Sequence, residues 1–326
     1  MMPAKFKLVP QGGKAIGIGH LRRMISLGEA AVELGHEVLF VTKYLEDGLA
    51  AKVNGKFSTT NLESEKESHL DNEYLVLDGY EIPIQEFQDH ENLVVFEDYV
   101  HRNLKCKFLV DANFSKDSLS KYGHYSYQSI IEGEKFISLG PEYRKTAKIR
   151  DFVSKPRLLI SLGGSDSENF TEIVLEAITK ERGRFSDISV AIGPLNRNEA
   201  RLRHEFSQQE LNWVKSPESL FTLYETHDVA IGAGGTSAYE RVNRNLPSLN
   251  LITVDNQERV ALGTQALGLA LATDVRKSRK LDVNLLSYFF EERQTSKTRR
   301  SGNTIIDGFG SKRLIETLLT PNGLGT

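Results

Sequence analysis

The chain has 326 residues, 39% hydrophobic and 26% charged, enough for two ordinary domains and too long for one small core. A formal net charge of −3 argues against a nucleic-acid partner, because such binders carry a basic excess or stripe. No apolar run is long enough to cross a bilayer, the opening "MMPAKFKLVPQGG" lacks the apolar core of a signal peptide, and Cys106, the single cysteine, has no internal disulfide partner. The expectation is a reduced, cytoplasmic protein without stable membrane insertion.

In chain order, "FKLVP" reads as a short strand. Leu21, Met24, Ile25, Leu27, Ala31 and Leu34 then recur at helical spacing, Gly35 stops the helix, and "EVLFV" is a second strand. Further strands are predicted at Glu73–Asp78, Asn92–Glu97 and Lys107–Asp111, with "NLESEKESH" as a solvated surface stretch. After the polar connector "GPEYRKTAKIRDFVSKP" a second series begins. Its strands are "RLLISLGG", "DISVAIGP", "LNWV", "DVAIGAGG" and "PSLNLITV", alternating with helical patterns such as "NFTEIVLEAITKE", "SAYERVNRN" and "NQERVALGTQALG". Alternation of this kind predicts an α/β chain with two Rossmann-like, doubly wound parallel-sheet domains facing a cleft, over residues 1–150 and 151–326.

Ligands of open parallel sheets bind beyond the carboxyl ends of the strands. In the second half those ends carry Gly163, Gly164 and Ser165, then Gly232, Gly234 and Gly235 leading into Thr236 and Ser237, then Asn256 and Gln257. Glycines admit a ligand close to the backbone, and a helix start offers free N–H groups to a diphosphate. The same residues also have local readings. Ser237 and Glu240 have the spacing of a capping box, Asn256 is an N-cap type, and "GGS" is a turn. Glu240, one turn into its helix, can reach a ribose. His20 stands where the first glycine-rich loop becomes a helix, as a cap or as a general base with a suitable pKa. Metal-site spacings, a P-loop and a nucleophile elbow are missing, and Gly17-Ile18-Gly19 lacks the rest of a dinucleotide fingerprint. Neither metal nor cofactor is expected, and Cys106, among apolar residues, reads as core.

The ordered set "GIGHLRR", "VLDGY", "LISLGGSD", "AIGAGGTSAYER" and "DNQ", with the terminal "IIDGFGSKRLIETLL", resembles the UDP-sugar hydrolase of pseudaminic acid biosynthesis and its spore-coat polysaccharide relatives. The resemblance implies a GT-B fold, shared with the peptidoglycan glycosyltransferase that adds N-acetylglucosamine, with the last helix returning to the N-terminal domain. It also implies metal-free, inverting attack of water at C1 of a UDP-activated amino sugar. On that basis His20, after Gly19, is the base and Tyr80 lies near the reacting centre. Gly164, Ser165, Gly235, Thr236 and Ser237 hold UDP, Glu240 binds ribose, and Asn256 and Gln257 lie near the diphosphate and sugar. Two stretches depart from the family. "LVPQGGKAIG" stands where an Arg-x-Asp stretch is usual, and "FEDY" where paired aspartates are common. The alternatives are an inverting GT-B glycosyltransferase using a UDP-sugar donor and a non-catalytic nucleotide-sugar-binding protein.

Overall fold

The computed structural model describes residues 3–46, 48–61, 72–98, 105–114, 122–123, 125–292 and 302–320; most of the "NLESEKESH" stretch lies outside them. The chain divides into two compact units: residues up to Arg144 together with the segment from Gly308, and Lys145–Asp307. Residues 145–150 belong to the second unit because Arg150, 6% exposed, donates to the carbonyls of Tyr224, His227 and Arg244.

The N-terminal unit contains β1 (Lys5–Pro10), α1 (Gly19–Glu33), β2 (Glu37–Val41), β3 (Ser58–Thr60), β4 (Glu73–Asp78), β5 (Leu93–Phe96), β6 (Lys105–Asp111) and β7 (Ser126–Glu132). They form one sheet in the order β3-β2-β1-β4-β5-β6-β7, with every pair parallel. Parallel strands need both faces covered, hence continuous apolar runs such as "LVVF", buried throughout. Helix α1 lays Leu21, Met24, Leu27, Ala30 and Ala31 on the sheet. Gly28 lets it sit close, since a Cβ there would lie 3.1 Å from the Phe57 ring and 3.2 Å from Leu8.

The second unit contains β8 (Arg157–Ser161), α2 (Phe170–Thr179), β9 (Asp187–Ile192), α3 (Glu199–Glu205), β10 (Asn212–Lys215), α4 (Phe221–Thr226) and β11 (Val229–Ala233). It continues with α5 (Thr236–Asn243), β12 (Ser248–Ile252), α6 (Glu258–Ala266), β13 (Leu271–Asp274), α7 (Val283–Glu292) and α8 (Gly302–Ile305). Its all-parallel sheet has the order β10-β9-β8-β11-β12-β13. Both sheets therefore reverse direction beside their first strand, between β1 and β4 and between β8 and β11. Those switch points are where an open α/β sheet leaves a crevice for ligand.

The strands that the sequence pattern missed, β3, β7 and β13, all lie at sheet edges. They are only partly buried, so they lack the apolar signal of central strands. Helix α7 was missed too, although Leu286, Phe289 and Phe290 enter the core of the second unit.

The last helix, α9 (Gly310–Leu319), belongs to the N-terminal unit. Leu314, Ile315 and Leu318 are buried, the Tyr74 hydroxyl donates to the Leu318 carbonyl at 2.9 Å, and Lys312 pairs with Glu33 of α1 at 2.6 Å. Gly310 permits this seating, because a Cβ would meet the Ile137 carbonyl oxygen at 2.1 Å. Gly310→Ala should thus cost about 1–3 kcal/mol, the scale of overpacking, and lower the melting temperature by several degrees. Gly183→Ala, where a Cβ meets nothing within 4 Å, should leave it unchanged. Equal melting curves for the two variants would refute the steric account.

Candidate functional site

In the N-terminal unit the candidate residues gather at the β1–β4 switch point. Strand β1 ends at Pro10, in register with Asp78 at the end of β4. The loop after β1 turns through Gly17 (φ +83°) into α1, whose N-cap is Ile18 and carries no side-chain cap. His20 is therefore not a cap. It is the second residue of the helix, 6% exposed, with Gly19 partly exposed before it.

The His20 Nδ1 lies 2.7 Å from Asp78 Oδ1. One turn along α1, Arg23 donates through Nε to Asp78 Oδ2 at 2.8 Å and through Nη2 to Asp78 Oδ1 at 2.6 Å. Its Nη1 donates to Asp98 Oδ2 at 3.0 Å. Half-buried Tyr80 completes the chain, its hydroxyl donating to Asp98 Oδ1 at 2.8 Å and its ring meeting that of His20 edge-on at 4.7 Å. Phe96 lies under the Arg23 guanidinium at 4.9 Å.

Burial by itself raises the Asp78 carboxyl, but Arg23 and His20 outweigh it and hold the group well below the usual carboxylate range. Asp98 is lowered in the same way, against its burial, by Arg23, His20 and the Tyr80 hydrogen bond. Burial opposes the Arg23 charge as well, yet Asp78 and Asp98 raise its pKa. An ionised Asp78 has no proton to give, so the 2.7 Å contact is a hydrogen bond donated by His20 Nδ1–H. In the tautomer that donates through Nδ1 the lone pair is on Nε2, which makes no hydrogen bond to a described residue. Such an arrangement can accept a proton from a hydroxyl at Nε2 while the carboxylate stabilises the resulting imidazolium.

Sequence reasoning named His20 and Tyr80 and missed Arg23, Asp78 and Asp98. The signals were an i, i+3 His–Arg pair, an acid ending β4 and another two residues beyond β5. Of the two stretches that depart from the resembled pattern, "LVPQGG" supplies Gln11, which grips the loop bearing Tyr80. Its Nε2 donates to Glu81 at 2.6 Å and its Oε1 accepts from the Glu81 N–H at 3.0 Å. "FEDY" supplies Asp98; its Tyr99 lies outside the described residues.

In the second unit the remaining candidates lie after β8, β11 and β12. The β8 loop holds Gly164 and Ser165, both partly exposed, between Gly163 (φ +93°) and Asp166 (φ +41°). Asp166 fixes its exit: its carboxylate accepts from Phe170 N–H at 2.8 Å, Thr171 N–H at 3.0 Å and the Thr171 hydroxyl at 2.6 Å. Burial pushes this carboxyl up to about 6, against those hydrogen bonds. The β9 loop braces the same turn, since a Cβ at Gly193 would meet the Gly163 and Gly164 carbonyls at 2.3 Å.

After β11, Gly235 is the N-cap of α5 without a side-chain cap. The capping box of Ser237 and Glu240 does not form. Ser237 is the second residue of the helix, and Glu240, 9% exposed, instead accepts a hydrogen bond from Tyr224 at 3.1 Å. Packing explains two of the glycines here. A Cβ at Gly232 would lie 2.5 Å from the buried Arg241 guanidinium, and one at Gly234 would lie 2.9 Å from Ala261. At Gly235 the nearest atom would be Gln257 Cγ at 3.8 Å, leaving room for close approach to Gly235 and the partly exposed Thr236 and Ser237. Asn256 and Gln257 lie in a 3-10 turn, Asp255–Gln257. Neither side chain caps α6; Gln257 Oε1 accepts from the backbone and hydroxyl of Thr253, both at 3.0 Å. Arg276 holds the turn in place, bonding Asp255, Glu258 and Asp274 at 2.5–2.7 Å.

Among the described residues no cluster of three or more His, Cys, Asp or Glu is arranged to hold a metal. Burial pushes the Cys106 thiol up to about 12, so it stays protonated and unreactive.

Asp78 and Asp166 should respond to pH with opposite signs. A depressed folded pKa gives stability that is full above the ordinary value of 3.8 and lost as pH falls through the folded value. Asp78→Asn should cost about 3–5 kcal/mol at neutral pH, as for a broken buried ion pair, and the gap to wild type should shrink in acid. For Asp166 the folded value lies above the unfolded one, so its contribution is full below 3.8 and lost as pH rises through about 6. The advantage of wild type over Asp166→Asn should decline across that window. Denaturant titrations at a series of pH values check both, and a gap that moves the other way refutes the corresponding assignment.

No family model matches the chain. It is 23% identical over 278 residues to an uncharacterised protein of Methanocaldococcus jannaschii, an alignment covering 74% of this chain and 54% of that protein; the chain thus spans about half of that relative's length. It is also 23% identical over 236 residues to the spore coat polysaccharide biosynthesis protein SpsG of Bacillus subtilis, covering 69% of this chain and 68% of SpsG. Among solved structures, a glycosyltransferase from Rickettsia africae superposes with a TM-score of 0.65 at 11% identity, covering 98% of each chain. Spinosyn rhamnosyltransferase SpnG, in complex with thymidine diphosphate, gives 0.59 at 14% identity, covering 96% of this chain and 99% of its own. At such identities the likeness is one of fold. The chain has the GT-B architecture of glycosyltransferases, and no helix among the described residues is long and apolar enough to cross a membrane.

Proposed function

We propose that the chain is a metal-independent, inverting enzyme that takes a sugar from a UDP-sugar donor in polysaccharide biosynthesis, with a hydroxyl-bearing acceptor as the attacking group. The observation that carries the reading is the 2.7 Å contact between His20 Nδ1 and Asp78 Oδ1, which points to a donating Nδ1–H and an accepting Nε2. The acceptor hydroxyl gives its proton to His20 Nε2 as its oxygen bonds to C1 of the sugar. The bond from C1 to the diphosphate oxygen breaks on the opposite face, and its electron pair leaves with UDP. Asp78 stabilises the imidazolium, and Tyr80 lies beside it. In the second unit the N–H groups at Gly235, Thr236 and Ser237 take the developing negative charge. Gly164 and Ser165 flank the diphosphate, Glu240 meets the ribose, and Asn256 and Gln257 border the diphosphate and sugar. The solved neighbours named as glycosyltransferases support transfer, and the likeness to SpsG supports polysaccharide biosynthesis.

Hydrolysis, with water in place of the acceptor, is the second reading. The ordered motif set shared with the UDP-sugar hydrolase of pseudaminic acid biosynthesis favours it, and the chemistry at Nε2 is the same.

A panel of UDP-sugars, incubated with and without hydroxyl acceptors and with excess EDTA, separates the two through UDP release. Transfer predicts slow release that an acceptor accelerates. Hydrolysis predicts full release without acceptor and label from ¹⁸O-water on C1. In either case His20→Asn should lower turnover about 10²–10⁴-fold with UDP affinity unchanged. Undiminished turnover in that variant removes His20 as base, loss of activity in EDTA removes the metal-free mechanism, and no release from any donor leaves only a binding protein.

A further inference from the structure

We infer that Tyr224 is a positioning residue for Glu240, and that the pair makes the nucleotide site select ribose over 2′-deoxyribose. This rests on the proposal that the second unit binds a nucleoside diphosphate. Tyr224 sits in α4 with no exposure, and its hydroxyl donates to Glu240 Oε2 at 3.1 Å. Its backbone is tied down as well: the N–H bonds the Leu220 carbonyl at 2.9 Å, and the carbonyl accepts from Arg150. The same guanidinium reaches the His227 and Arg244 carbonyls. One cation thus ties together the C-terminal ends of α4 and α5, and fixes the spacing at which the phenol meets the carboxylate.

A glutamate side chain has three rotatable bonds, and binding a ribose through it normally costs the freezing of those rotors. The Tyr224 hydrogen bond makes that selection in the folded chain before any ligand arrives. An oriented carboxylate accepts from a ribose hydroxyl at full strength. A 2′-deoxyribose offers one donor fewer and leaves a partly buried acceptor under-satisfied, which is how polar sites reject analogues lacking a hydroxyl. Removing the phenol removes this restraint on the carboxylate, and the discrimination weakens even though Glu240 is intact.

The test is calorimetric titration of the full chain with UDP and with 2′-deoxy-UDP, for wild type and Tyr224→Phe, with melting temperatures recorded alongside. Phenylalanine fills the same volume and removes only the hydroxyl. Wild type should prefer UDP by about 10- to 100-fold. Tyr224→Phe should lose most of that preference through weaker UDP binding, with 2′-deoxy-UDP nearly unaffected. If the variant binds both nucleotides in the wild-type ratio, Tyr224 is merely structural and the inference falls while the nucleotide site stands. If wild type binds neither nucleotide, the proposed function itself fails and takes this inference with it.

Discussion

The Arg23 guanidinium, buried between Asp78 and Asp98, is the interaction on which the N-terminal site depends. A cation removed from water is tolerated only when well-placed anions satisfy it, and a buried carboxylate needs the converse. Here one helix supplies the cation and the ends of two neighbouring strands supply the anions. Neither Asp78 nor Asp98 would remain so readily ionised without Arg23, and the tautomer of His20 follows from the ionisation of Asp78. Tyr80 is tied to the same chain through Asp98. The order of dependence runs from one ion pair to the state of the imidazole.

The first six strands of the N-terminal sheet follow the same order as the second sheet, with β7 added at the edge, and the two units differ in how they equip the switch point. In the first, side chains gather there: an imidazole, a guanidinium, two carboxylates and a phenol. In the second, backbone is presented at Gly164, Gly235 and the start of α5, and the buried residues beneath serve to shape it. Gly232 and Gly234 admit Arg241 and Ala261, and Asp166 holds the turn that bears Ser165. Asp78 and Asp166 show how environment sets a carboxyl. Both are buried, but Asp78 faces a guanidinium whereas Asp166 meets neutral N–H and O–H donors, so one falls and the other rises to about 6.

The likeness to glycosyltransferases of known structure is spread over nearly the whole chain at 11–14% identity, which is conservation of backbone rather than of chemistry. In the proposed mechanism, water and an acceptor hydroxyl place the same demand on His20. What separates transfer from hydrolysis is what may approach Nε2.

The sequence by itself determined the local features. Apolar periodicity located the central strands and α1, and glycine with cap-forming residues marked the strand ends beyond which open parallel sheets bind ligands. The place of His20 at the head of a helix was legible because it is set by neighbours a few residues away. Tertiary structure alone decided the partners. Asp78 and Asp98 lie 55 and 75 residues from Arg23, Tyr224 meets Glu240 across 16, and α9 returns to α1 and to Tyr74 of β4. A capping-box spacing at Ser237 and Glu240 gave way to Gly235 and Tyr224 for the same reason. Periodicity records which face of an element is apolar, but which polar groups meet is fixed only when the strands acquire their order.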